Sequence, residues 1–323
     1  MTVDPPRGGG HRGGSFSALL AALLLATCAP AEDADNLFSS LSSPDLEARQ
    51  EAADKIEQIV ESGDHQVFVR GLDSPRPLNR AQSIVQLARM SQPAAHGALR
   101  AQLAVGRRMM LPYNPIRLKP ASELSDSRIL VANLIQGGGG DPEAIGILLA
   151  GAEEGQTVDA LEGTCFAVGA LGDPAGIPFL EKAARHPDLT VVRSAVQALG
   201  QFQGSGVVAI LGRVIQHPAI EVRSDVLTSL ANRDDEATNS LLRSVGESDP
   251  VPDLRASAYQ MLSRFEDPEL VPYFIARLRD APETARASAA EALARITGKT
   301  MGLKPEPWER WWAKSRPATS VGR

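Results

Sequence analysis

"HPDLTVVRSAVQALG", residues 186–200, decides the fold. Within it Leu189, Val192, Val196 and Leu199 fall at i, i+3, i+7 and i+10, which is one apolar face at helical period. Gly200 follows as a stop signal. A second apolar run, "GVVAILGRVI" at 206–215, places Val207, Leu211 and Val214 at i, i+4 and i+7. The two runs predict a helix, a short turn and a second helix.

The phrase returns along the chain. Arg193, Arg223, Arg255 and Arg286 are spaced by 30, 32 and 31 residues, and Leu199, Leu230, Leu262 and Leu293 by 31, 32 and 31. The leucines keep the better register, and Arg193 stands one place out of step. Arg49 and Arg80 are also 31 apart, and Arg128 lies in a similar context. "CFAVGALG" aligns with "RSAVQALG" and puts Cys165 where the arginine would stand. Pro44, Pro75, Pro187, Pro218, Pro252 and Pro282 precede most of these arginines. Proline is tolerated in a first helical turn, so each phrase is expected to begin a helix there. One hairpin cannot bury its apolar face alone, whereas stacked hairpins bury a continuous core. About eight units follow, starting near residues 42, 75, 122, 156, 186, 217, 250 and 281.

A proline, an arginine and then a leucine six or seven places on, recurring at this period, resembles the HEAT-repeat family, most closely its short bacterial HEAT-like variety. The resemblance covers residues 42–297 and implies an all-α chain: an α-solenoid of about eight stacked helical hairpins. The third unit departs from the pattern. Arg80 to Arg128 is 48 residues, so about 17 are inserted near 106–124. The fourth unit lacks both the proline and the arginine. Composition agrees with helix: hydrophobic residues make up 43% but aromatics only 4%, with alanine and leucine dominant. A net charge of −6 argues against nucleic acid as a partner.

The N-terminus reads as an export signal. "SFSALLAALLLA", residues 15–26, is too short to span a bilayer and suits the apolar core of a secretory signal. Leu25-Ala26-Thr27-Cys28 resembles a bacterial lipobox, which implies acylation of Cys28 and a lipid anchor in the membrane. Thr27 departs from the lipobox pattern. Cleavage after Ala29-Pro30-Ala31, giving a secreted or periplasmic soluble chain, is the competing reading. The expected organisation is a signal peptide over 1–28, a short tether over 29–41, the solenoid over 42–297, and a Trp-rich cap with a disordered tail over 298–323.

Chemistry-bearing motifs are sparse. No nucleophile elbow, zinc-binding helix or paired-acid context occurs, so no catalytic residue, metal or cofactor is expected. Arg49, Arg80, Arg193, Arg223, Arg255 and Arg286 read as a structural ladder, with Asp188, Glu221, Asp253 and Glu283 as nearby acids to pair with. His186 and His217 occupy equivalent turns. Packed helices lie roughly 8–10 Å apart, too far for both to reach one ion. Gly137–Gly140 lacks the ending of a phosphate loop and reads as a turn. Cys165 reads as a small buried residue.

Two segments stand out as candidate surfaces. "GRRMMLPYNPIRLKPASEL", 106–124, is locally basic, with Arg107, Arg108, Tyr113 and Arg117 as candidate partner-binding residues. The tail holds all three tryptophans, Trp308, Trp311 and Trp312, on one helical face; they are expected to cap the last hairpin, as solenoids require. It resembles the Trp-rich closing segment of some bacterial HEAT-repeat proteins. The function expected is a non-catalytic scaffold of the bacterial envelope that holds a protein or peptide on its concave face. The alternatives are a lyase-type enzyme, since some bacterial HEAT-like proteins resemble bilin lyases acting on a chromophore or protein substrate, and a purely structural spacer.

Overall fold

The structure, a computed structural model, describes residues 33–106, 108–110, 124–154, 157–280 and 282–315. Among the described residues the architecture is all-α apart from one short ribbon, and the chain resolves into two compact units, Met1–Ala98 and Leu99–Arg323.

In the first unit α1 (Ala34–Leu41) precedes α2 (Leu46–Ser62), α3 (Gln66–Gly71) and α4 (Pro77–Arg89). The tether expected over 29–41 is corrected by α1. Ala34, Leu37 and Phe38 fall at i, i+3 and i+4 and are all buried against α2, α3 and α4. Phe38 stacks on Phe68 with ring centroids 6.1 Å apart. Asp35 Oδ1 accepts from Ser74 Oγ at 2.5 Å and from Asn79 Nδ2 at 2.7 Å, which fastens α1 to the start of α4. The helix α5 (Pro93–Val105) runs on into the second unit.

The second unit opens with β1 (Arg108–Met110) and β2 (Leu124–Asp126), paired antiparallel with Arg108 opposite Asp126. Six hairpins follow: α6 (Ser127–Gly137) with α7 (Ala144–Glu154), α8 (Val158–Leu171) with α9 (Ile177–Ala183), α10 (Leu189–Leu199) with α11 (Ser205–Val214), α12 (Ile220–Leu230) with α13 (Glu236–Ser248), α14 (Pro252–Leu262) with α15 (Val271–Arg277), and α16 (Glu283–Thr297) with α17 (Pro305–Ser315). The first helices pack in one row, each on the next. The second helices lie beside that row, with α11 against α13 and α15 against α17. Apolar residues of both rows form the core, among them Val192, Val196, Leu199, Leu211, Val226, Leu230, Leu262 and Leu293. First helices begin at residues 46, 77, 127, 158, 189, 220, 252 and 283, matching the eight unit starts read from the sequence.

The prolines sit differently from expectation. Only Pro77 and Pro252 open a first helix, and Pro282 is an N-cap. Pro44, Pro75, Pro187 and Pro218 each lie two residues before the first residue of the helix, inside the turn.

Candidate functional site

That turn is one device built five times. The residue before each proline accepts, through its side chain, the N–H two places on. Ser43 Oγ takes Asp45 at 3.2 Å, Ser74 Oγ takes Arg76 at 3.0 Å, His186 Nδ1 takes Asp188 at 3.0 Å, His217 Nδ1 takes Ala219 at 3.1 Å and Asp249 Oδ1 takes Val251 at 2.8 Å. Proline between them has no N–H to satisfy and presets the turn. The histidines are therefore turn-closers, equivalent to serine and aspartate. Among the described residues no cluster of His, Cys, Asp and Glu suited to a metal exists.

In four of these turns, and at Asp280 two places before Pro282, the carbonyl is also gripped by the arginine six places on, which donates through Nη1; six places after His186 stands Val192 instead. The five pairs are Arg49 to Ser43 at 2.7 Å, Arg80 to Ser74 at 2.6 Å, Arg223 to His217 at 3.1 Å, Arg255 to Asp249 at 2.7 Å and Arg286 to Asp280 at 3.0 Å. For Arg223 and Arg255 the ion-pair partners are not the carboxylates named from the sequence. Arg223 Nε and Nη2 reach Asp249 at 2.8 and 3.2 Å, and Arg255 Nε and Nη2 reach Asp280 at 2.8 and 2.7 Å. These forked pairs join one unit to the turn of the next, because Asp249 and Asp280 enter from the end of the following second helix. Arg193 does not take part in this pattern. Val192 occupies the ladder position and is buried, while Arg193, turned one place round the helix, reaches Asp225 at 2.6 Å.

Arg128 works at the base of the insertion. It is buried and donates to Ala160 O at 2.8 Å, Thr164 Oγ1 at 3.1 Å and Val105 O at 3.2 Å. Asp126, which closes β2, caps α6 by accepting from Arg128 N–H at 2.8 Å. Burial pushes the Asp126 carboxyl above its ordinary range, against the pull of the Arg128 charge. Gly106 has φ +57°, and a Cβ there would meet the Arg128 guanidinium at 2.3 Å, so only glycine fits. Of the candidate partner-binding residues, Arg107, Tyr113 and Arg117 lie outside the described residues, as does Cys28; Arg108 begins β1.

The three tryptophans expected to form the cap are not equally placed. Trp308 is fully buried, with Nε1 donating to Gly302 O at 2.9 Å. Trp311 and Trp312 are half-buried, and Trp311 meets Trp308 edge-on at 6.2 Å. Arg279 pairs with Glu309 at 2.6 Å and ties α17 to the end of α15. Cys165 is buried in α8, and burial raises its thiol to about 12.

Sequence reading also missed a second arginine row, at the C-terminal ends of the first helices. Arg233 Nη2 donates to the carbonyls of Leu199 and Phe202, and Arg264 Nη1 to Ala231 O at 2.6 Å, each bond reaching back into the preceding unit. The signal was present: Arg233, Arg264 and Arg295 are 31 residues apart, as are Asp249 and Asp280.

Residues 145–230 and 211–294 match the family described as HEAT repeats. The fold and its turns thus define a helical-repeat protein carrying HEAT-like repeats and closed by a Trp-rich helix. No curated protein matches. Among solved structures, the chain is similar to YibA of Escherichia coli, with 16% identity, a TM-score of 0.42, and 89% of this chain and 100% of that one covered. It is also similar to human deoxyhypusine hydroxylase in complex with glycerol, with 18% identity, a TM-score of 0.34, and coverage of 87% and 100%. The complex of CpcE and CpcF of phycocyanin lyase from Nostoc sp. matches with 16% identity, a TM-score of 0.33, and coverage of 83% and 96%.

Proposed function

We propose that this chain is a non-catalytic, protein-binding scaffold of the bacterial cell envelope, exported and anchored through an acylated Cys28. One observation carries the binding role. The exposed sides of successive second helices present small residues, Ala209 on α11, Ser240 and Ser244 on α13 and Ala276 on α15, beside the exposed Arg213. Small side chains let a partner's backbone approach closely along several units, while the turn arginines are engaged in holding the stack. The apolar segment at 15–26 followed by Cys28 supports export. The test is affinity capture of the full-length chain from native envelopes, compared with a chain carrying Ala209→Glu and Ser240→Glu. A partner enriched by the wild type and lost from the variant supports the reading. Recovery of the chain from the cytoplasmic fraction, or a partner retained by the variant, overturns it.

A further inference from the structure

The second arginine row contains one member unlike the others. Arg264 and Arg295 are exposed, whereas Arg233, at the equivalent position, is only 7% exposed. A helix C-terminus favours a nearby cation, and this accounts for Arg264. It does not account for burying a guanidinium. Arg233 Nε donates to Ser229 O at 3.3 Å, and Nη2 donates to Leu199 O at 3.4 Å and to Phe202 O. These carbonyls orient the group without supplying a full counter-charge. Nη1 is buried and has no acceptor among the described residues. Asp235, the acid whose charge acts on Arg233, uses both oxygens on Thr238, at 2.9 Å to its N–H and 3.0 Å to its hydroxyl. Burying a cation without a bonded counter-charge is costly, and burial draws the Arg233 pKa below its ordinary value with Asp235 offsetting only part of it.

Arg233 and Arg264 line one cavity of about 320 Å³, a size that suits a small ligand. Leu242, Met261 and Phe265 give it an apolar wall, and Asn232 adds an amide. Asp234, exposed, also lines it. One acid among two arginines leaves a single positive charge to be matched, which favours a monoanion over a multiply charged phosphate. A guanidinium fork matches a carboxylate in shape.

We propose that this cavity binds an apolar monocarboxylate, a small organic acid or the free C-terminus of an apolar peptide, with the carboxylate between Arg233 and Arg264 and the stem against Leu242, Met261 and Phe265. The site stands independently of the scaffold reading. The test is calorimetric titration of the full chain with hexanoate, hexanol, inorganic phosphate, and a short Phe-terminated peptide as free acid and as amide. Saturable hexanoate binding is expected, with hexanol and phosphate silent. Arg264→Gln, at an exposed position, should weaken hexanoate roughly tenfold, the loss of one charge-assisted bond. Arg233→Met should abolish binding while circular dichroism keeps the wild-type helix signal. Binding of the free-acid peptide but not the amide assigns a chain terminus as the source; hexanoate binding with both peptides silent assigns a small acid. Absence of hexanoate binding, equal binding of hexanol, a response to phosphate alone, or wild-type affinity in Arg264→Gln would each overturn the proposal.

Discussion

Asp249 is held from two units at once. Its carboxylate takes the fork of Arg223, its carbonyl takes Arg255 at 2.7 Å, and Oδ1 closes its own turn. The side chains of Arg223 and Asp249 are 8% and 4% exposed, so removing one strands the other as a buried charge. That loss typically costs about 3–5 kcal/mol. Asp249→Ala is therefore expected to destabilise the chain by about that much in urea unfolding, and the Arg223→Leu, Asp249→Leu double variant by clearly less than the two singles together. Strict additivity would show that the two groups are not coupled. Arg193 provides the contrast: its side chain is 42% exposed, so Arg193→Ala should cost no more than about 1 kcal/mol. Cys165 gives a second test at this scale. With its thiol raised to about 12, almost none is thiolate near pH 8. Iodoacetamide should leave the Cys165 peptide unmodified in the native chain and label it fully in urea, read by mass spectrometry. Prompt native labelling would mean that α8 opens easily.

The ribbon and α6 form the element on which the insertion is mounted, and Asp126 makes it sensitive to pH. Burial raises the Asp126 pKa from 3.8, outweighing the Arg128 charge and the Arg128 N–H. For a carboxyl raised on folding, the stability it contributes is complete below 3.8 and is lost as pH climbs through the higher folded value. Asp126→Asn keeps an N-cap oxygen but does not titrate. The melting temperature of wild type relative to this variant should therefore fall as pH rises above 3.8 and level off once the folded value has been passed. A relative gain over the same window would mean that Arg128 prevails over burial. How far such elements were legible depends on the range of the interactions that shape them. Leu199, Leu230, Leu262 and Leu293 announce the hairpins because helical period and repeat period are both local. The partners of the arginines were not legible, since Arg223 meets Asp249 and Arg255 meets Asp280 across 26 and 25 residues of intervening hairpin. Arg193, one place out of register, was visible as an irregularity, but its partner Asp225 belongs to no repeating position. The short α1 was passed over because three buried residues, Ala34, Leu37 and Phe38, are too few to set a period. The cavity beside Arg233 depends on burial, which equal spacing to Arg264 and Arg295 does not reveal.

At the scale of the whole molecule, the second unit is a row in which each hairpin is supported by its neighbours, so its last described hairpin, with a neighbour on one side, is where the stack is expected to begin to unravel. That hairpin ends in α17, which continues the line of second helices by packing against α15. Trp308 is its buried anchor, and the ion pair of Arg279 with Glu309 lies exposed beside it. Removing a buried tryptophan typically costs about 3–5 kcal/mol, whereas the half-buried Trp311 and Trp312 have less to lose. Trp308→Ala is expected to lower the melting temperature clearly, and Trp311→Ala or Trp312→Ala only slightly. Because coupling runs through neighbouring hairpins, the lost protection should begin at the mutated end. Hydrogen exchange in Trp308→Ala should quicken most over α16 and α15, less over α14, and hardly at all over α2 and α4 of the first unit, which serve as the internal reference. Uniform quickening of both units would mean that the chain unfolds as one cooperative body. Unchanged exchange over α15 and α16 would mean that α17 contributes nothing to the stack, and that its tryptophans serve a partner instead.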